Sequence, residues 1–311
     1  MIRDTPIGSY KNATGPINYG MTNDYMFRAV LQKNVHVLKG LICSVLHLRE
    51  ENVQSVQITN PIELGDDFDD KTFILDVNVL LNNNTLINLE MQMTNEHNWT
   101  DRSLSYLCRS YDQLYQGEVY SSAKPAIHIG FLNFQPFPDY PEFYAKYRLM
   151  NEKNGMVYSD KFLLNVIDLT QIELATKEDK EFQIDYWAKL FTATSWEEII
   201  MLAEKNNAFS ETAQTLYELN SDEITEMKCR ARRDYYKQKN TTEKIMKDLT
   251  LEKDRLLAET EKLSTENEAL IAKKEALTTE NEALIAKKEA LATENEALKA
   301  RIAELEAKQN N

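Results

Sequence analysis

The chain has 311 residues, 42% hydrophobic and 28% charged, with a net charge of −14. That length can bury one sizeable core with residues left over for extensions, and no apolar run approaches the ~20 residues of a membrane helix, so no membrane partner is expected. Residues 241–311 hold 12 basic and 16 acidic residues, which leaves −10 on residues 1–240 and counts against a general nucleic-acid binder, whose phosphate contacts come mostly from Lys and Arg.

The N-terminal Met-Ile-Arg-Asp-Thr-Pro shows no basic segment followed by an apolar stretch, so no secretory signal is expected. Cys43, Cys108 and Cys229 are far apart and odd in number. They suit neither a disulfide framework nor a zinc site, which makes a reducing cytoplasm the expected setting and a small buried hydrophobe the expected role of each. The four histidines, His36, His47, His97 and His128, show no metal-ligand spacing.

Residues 1–17 read as an N-terminal extension. A helix is expected from Asp24 to about Gln32, capped by Thr22 or Asn23, with Met26, Phe27, Val30 and Leu31 inward. Asp24 sits where acids ordinarily complement a helix N-terminus. A second helix follows Asn34, and Val53–Pro61 reads as a strand or extended segment. Asp66–Asp70 reads as a solvated turn, since it lacks the glycine and distal glutamate of a calcium loop.

Thr72–Leu81 and Thr85–Met93, split by Asn82-Asn83-Asn84, read as a β-hairpin. Alternation puts Leu75, Val77, Val79 and Leu81 on one face of the first strand and Asp76 and Asn78 on the other. In the second strand Ile87, Leu89, Met91 and Met93 share one face, and Asn88, Glu90 and Gln92 the other. A three-residue loop pairs Leu81 with Thr85 and sets Asp76 opposite Glu90, ~4.5–5.5 Å apart at Cβ; a two- or four-residue loop would separate them.

Two carboxylates so close repel unless a cation joins them. Mg²⁺ suits such a pair, because it takes one or two protein carboxylates and fills its remaining positions with water and phosphate. Gln92, two residues along the same face, can orient a water but brings no positive charge. An acidic pair on an exposed sheet face is also ordinary surface decoration, and spacing alone leaves both readings open.

Asp101–Gln116 is expected to be helical, with Leu104, Leu107, Tyr111 and Leu114 as its apolar stripe. Arg102, Tyr106, Arg109 and Gln113 form a separate face, which is either a phosphate-facing surface or a solvated one. Pro125–Asn133 and Phe162–Leu169 read as strands, and the pattern from Asp179 to Lys239 is helical, with Trp187, Leu190, Phe191, Trp196, Ile199 and Leu216 among its core residues. The sum is an α/β protein with a mixed sheet flanked by helices. Lys228–Lys239, with six basic residues, one acid and two tyrosines, either touches nucleic acid or is an exposed helix leading onward.

Beyond Lys239 there is no Gly, Pro or aromatic residue. Thr265–Thr278 and Thr279–Ala292 are near-identical copies, and leucines recur every seventh residue from Leu249 to Leu305. With these at d, the a positions are mostly Asn and Lys, as Asn267, Lys274, Asn281, Lys288 and Asn295 show. Residues 241–311 are therefore either a coiled-coil dimerisation stalk, giving a homo-oligomer, or a solvated single helix.

The ordered segments TNDYMFRAVL (22–31), FILDVNV (73–79), INLEMQM (87–93), RSLSYLCRSYDQLYQGEVY (102–120) and PAIHIGFLNF (125–134) together resemble the PD-(D/E)XK nuclease family transposases, also called the recombination-promoting nuclease (Rpn) and transposase family. DYWAKLF (185–191) and SWEEIIMLA (195–203) also look like that family. The resemblance implies a restriction-endonuclease-like core over 18–178, a helical subdomain over 179–240, and Mg²⁺- or Mn²⁺-dependent cleavage of DNA. It makes Asp76 the motif aspartate and Glu90 the motif glutamate, and these two the metal ligands. Gln92 stands where the wider superfamily carries lysine. Asp24, Arg102 and Tyr106 match supporting positions. Because Gln92 brings no charge and the chain is acidic, a non-catalytic DNA-binding or oligomerising module is the competing expectation.

Overall fold

In the computed structural model, the described residues are 8–60, 76–114 and 116–309. The Asp66–Asp70 turn and the start of the strand expected from Thr72 lie outside them. The sheet has six strands: β1 (Val56–Ile58), β2 (Val77–Leu81), β3 (Thr85–Gln92), β4 (Ala126–Leu132), β5 (Tyr144–Arg148) and β6 (Phe162–Asp168). Their order is β1-β2-β3-β4-β6-β5. The central β3, β4 and β6 run parallel, while β1 and β2 on one side and β5 on the other pair antiparallel. This is the mixed α/β sheet that the sequence predicts.

The β2–β3 hairpin has the expected register, with Leu81 opposite Thr85 and Asn78 opposite Asn88. Asparagine suits its loop because Asn82 and Asn83 both take left-handed backbone angles, φ 49° and 57°. Asn82 also accepts from the amides of Gln54 and Ser55 and donates to the Asn52 carbonyl, fixing the loop to the segment before β1.

Helix α1 (Asp24–Lys33) begins where Asn23 accepts from the Met26 amide, and α2 (Val35–Val45) where Asn34 accepts from His36 and Val37. The helical region expected from Asp179 consists of α4 (Lys177–Glu181), α5 (Ile184–Thr192), α6 (Trp196–Ala203), α7 (Asn207–Asn220) and the start of α8 (Glu223–Gln309). Side chains of α1, α2, α5 and α7 join the apolar sheet face in the main core. Phe131 of β4 meets Phe27 and Phe191 there, with ring centroids 5.6 and 5.2 Å apart.

The opposite sheet face is covered by α3 (Trp99–Tyr111), the crossover from β3 to the parallel β4. Its phase differs from expectation. Trp99, Ser103 and Leu107 are buried, whereas Leu104 is 48% exposed. The cause is Gly130 on β4: a Cβ there would lie 2.1 Å from Trp99 Cη2. The missing side chain admits the indole, which seats the helix and turns Arg102 and Tyr106 half-inward. Two further corrections are smaller: β1 spans only Val56–Ile58, and Cys108 is exposed, while Cys43 and Cys229 are buried as expected.

Two compact units result, divided between Tyr236 and Lys237. In the second, α8 carries the leucine row from Leu249 to Leu305 wholly on its surface. Among the described residues no helix is long and apolar enough to cross a membrane.

Candidate active site

Asp76 immediately precedes β2, and extending the hairpin register past Val77↔Leu89 sets it opposite Glu90. Its backbone is fixed first. The fully buried Arg28 donates to the carbonyls of Asp76 and Asn60. Asn60 Nδ2 donates to the same Asp76 carbonyl at 3.0 Å, and its Oδ1 accepts from the Asn78 amide at 2.8 Å. Asn88 Nδ2 reaches Asp76 Oδ2 at 3.4 Å and Asn78 Oδ1 at 2.7 Å. The carboxyl is therefore placed by main-chain anchors and is only weakly bonded itself.

Glu90 lies beside Gly130 in the parallel ladder. Its Oε1 accepts from Arg102 Nε at 2.7 Å, while Oε2 makes no hydrogen bond among the described residues. His128 Nε2 stands 3.6 Å from that oxygen. It is not an ion pair: burial, helped by Arg102, pushes the His128 pKa down to about 3, so the ring is neutral. The imidazole sits beside Trp99 and Tyr106, with centroids 5.5 and 5.9 Å away. Arg102 Nη2 also approaches the Tyr106 hydroxyl at 3.4 Å. Gln92 Nε2 donates to the Thr94 carbonyl at 3.2 Å, and its Oε1 has no partner among the described residues.

Asp76 and Glu90 are each only 4% exposed. Burial raises both carboxyl pKa values, Glu90 to about 7 with the Asp76 charge adding to the effect, against the opposing pull of Arg102. A raised folded-state pKa means that the native protein holds a proton its unfolded chain has released. For Glu90 the stability cost grows as pH rises from about 4.5 to about 7 and is full above that. Asp76→Asn removes the neighbouring charge. It is expected to raise the melting temperature of the metal-free protein at pH 8 by a few degrees, for about 1 kcal/mol, with a smaller gain at pH 5. Melting curves at the two pH values check this, and a lower melting temperature at pH 8 would refute it.

Asp24, Asp76, Glu90, Gln92 and Arg102 line one pocket, so five of the six residues singled out in the sequence come together. The sixth, Tyr106, lines an adjoining groove with Asp76, Asn78, Asn88, Arg109 and Gln113. Four pocket residues had no individual role in the sequence reading: Thr94, Glu96, and Arg232 and Tyr236 of α8. Arg232 Nε lies 3.1 Å from both Asp24 oxygens, its Nη2 bonds Oδ2, and the Tyr236 hydroxyl donates to Oδ2 at 2.8 Å. Their i, i+4 spacing inside the basic segment was the available signal. Asn88 already shared the polar face of its strand with Glu90 in the sequence, whereas His128 did not stand out, because its strand face is otherwise Ala126, Gly130 and Leu132.

The donor set fits a hard divalent cation. Two buried carboxylates face each other, and two acceptor oxygens, Glu90 Oε2 of the pair and Gln92 Oε1 beside it, are left unsatisfied among the described residues, each at a cost of ~1–3 kcal/mol. No cluster of three or more His, Cys, Asp or Glu side chains suited to a metal occurs among the described residues.

Residues 21–245 match the family model described as PD-(D/E)XK nuclease family transposase. No curated protein and no solved structure matches the chain.

Proposed function

The chain belongs to the PD-(D/E)XK nuclease family transposases, and from that premise we propose that it is a Mg²⁺-dependent DNA endonuclease of the recombination-promoting type, hydrolysing phosphodiester bonds. The observation that carries the reading is the buried Asp76–Glu90 pair, with Glu90 Oε2 of the pair and Gln92 Oε1 beside it unsatisfied among the described residues. Asp76 and Glu90 would hold the metal; Mn²⁺ would fit the same oxygens. A bound divalent cation supplies Lewis acidity toward a phosphate oxygen and makes a water more acidic.

The chain's own groups do the rest. Arg28 and Asn60 fix the Asp76 backbone, so its carboxyl meets substrate pre-positioned. Arg102 occupies Glu90 Oε1 and leaves Oε2 for a ligand. The neutral His128 backs Glu90 without competing as a cation. Gln92 Oε1 can accept a hydrogen bond from a water and orient it. The groove running from Asp76 past Asn78, Asn88 and Arg109 gives a DNA strand a polar path away from the pocket.

Purified protein with Mg²⁺ or Mn²⁺ is expected to nick or linearise plasmid DNA, and plasmid left intact with both ions would overturn the proposal. The leucine row of α8 supports a homo-oligomer formed through residues 241–311. Removing the residues after 240 should then lower the number of subunits per particle measured by light scattering, and an unchanged subunit number would refute the stalk.

A further inference from the structure

Gln92 contributes an amide where charge is needed, so the positive charge that meets a phosphate must come from elsewhere. The described pocket lining holds four carboxylates, Asp24, Asp76, Glu90 and Glu96, and two cations, Arg102 and Arg232. One divalent ion brings that lining to neutrality, and a phosphodiester then adds a negative charge. Arg102 is committed to Glu90 through its Nε and to Tyr106 through Nη2. Arg232 is held as firmly, but on a carboxylate outside the Asp76–Glu90 pair: its Nε and Nη2 bond Asp24, and Nη2 lies 3.2 Å from the Tyr236 hydroxyl that bonds the same carboxylate, within the pocket that the pair lines.

A plain helix-to-helix brace is the alternative role for this ion pair. The start of α8 is docked by other groups, however. Asn23 Nδ2 donates to the Cys229 carbonyl at 3.0 Å, Cys229 itself is fully buried, and Arg233 lies over the Tyr19 ring at 5.3 Å. A guanidinium presents five N–H donors in a rigid fork and can share them between a carboxylate and a phosphate.

We propose that Arg232 contacts the non-bridging oxygens of the scissile phosphate and takes the place of the motif lysine, with Asp24 and Tyr236 holding its fork in position. The proposal rests on the nuclease reading, and its test separates the two. Duplex DNA binding is measured in Ca²⁺ across a salt series, and single-turnover cleavage in Mg²⁺, for the parent, Arg232→Lys, Arg232→Gln and the double variant Asp24→Asn/Arg232→Gln. The double variant leaves the local net charge unchanged, so a brace alone predicts the parent's salt slope.

A phosphate contact predicts a slope shallower by about 0.9 in the double variant and in Arg232→Gln, and a slope kept in Arg232→Lys. Cleavage should fall about 100-fold in Arg232→Gln and recover at least tenfold in Arg232→Lys. An unchanged slope in the double variant overturns the proposal, whatever the cleavage rate, and so does a shallower slope with full cleavage. If Arg232→Gln does not fold, Arg232→Lys decides: a lost slope contribution despite the retained charge overturns it. A parent that binds with the predicted slope changes but never cuts would refute the nuclease reading and leave the phosphate contact standing. A parent that does not bind duplex overturns both.

Discussion

Asp76→Asn and Glu90→Gln are each expected to lower Mg²⁺-dependent DNA cleavage by roughly a thousandfold or more. A Lewis-acid contribution of several kcal/mol, at 1.36 kcal/mol per decade, gives that scale. The substitutions are chosen to spare the fold. Asp76→Asn leaves the main-chain carbonyl on which Arg28 and Asn60 converge, and removes only a carboxyl that accepts one long hydrogen bond from Asn88. Glu90→Gln keeps an oxygen for Arg102 Nε. The site then predicts an uncommon combination for Asp76→Asn: greater thermal stability without metal at pH 8, and no cleavage with it. A protein shaped only for folding would not bury two facing carboxylates whose pKa values both rise. Cutting at the parent's rate by either variant would end the assignment of these two residues.

The pair was legible because a hairpin is local. Three asparagines set an odd loop length, the loop sets the register, and the register faces Asp76 toward Glu90. Helix α1 and its cap were legible for the same reason, since Asn23 acts within one turn. What stayed hidden depends on contacts that no local period carries. The phase of α3 is set by Gly130 of a later strand, so the Leu104 stripe suggested by spacing loses to Trp99. Arg232 meets Asp24 across 208 residues of chain, and a basic helical segment reads the same whether it faces solvent or a pocket. His128 sits in a run so apolar that its polar neighbour Glu90 becomes visible only when β3 and β4 are paired.

Gly130→Ala is expected to be the most damaging conservative change in the sheet. The new methyl would lie 2.1 Å from Cη2 and 2.5 Å from Cζ2 of Trp99, far inside any tolerated contact. Trp99 is itself buried against Leu132 and Val166, so the ring has no open space to enter and α3 must move with it. Overpacking of this kind costs about 1–3 kcal/mol, and a displaced helix places it at the upper end, or about 6–12 °C in melting temperature for a unit of this size. The damage should reach the chemistry, because Arg102 follows Trp99 on the same helix and holds Glu90 Oε1. Pairing Gly130→Ala with Trp99→Leu tests the cause. If the clash is the mechanism, the double variant melts above the sum of the two single losses, with a coupling of about 1 kcal/mol or more. Additive losses would mean that Gly130 matters for its backbone alone. Recovery of stability without recovery of cleavage would show that α3 needs the indole itself to bring Arg102 to Glu90.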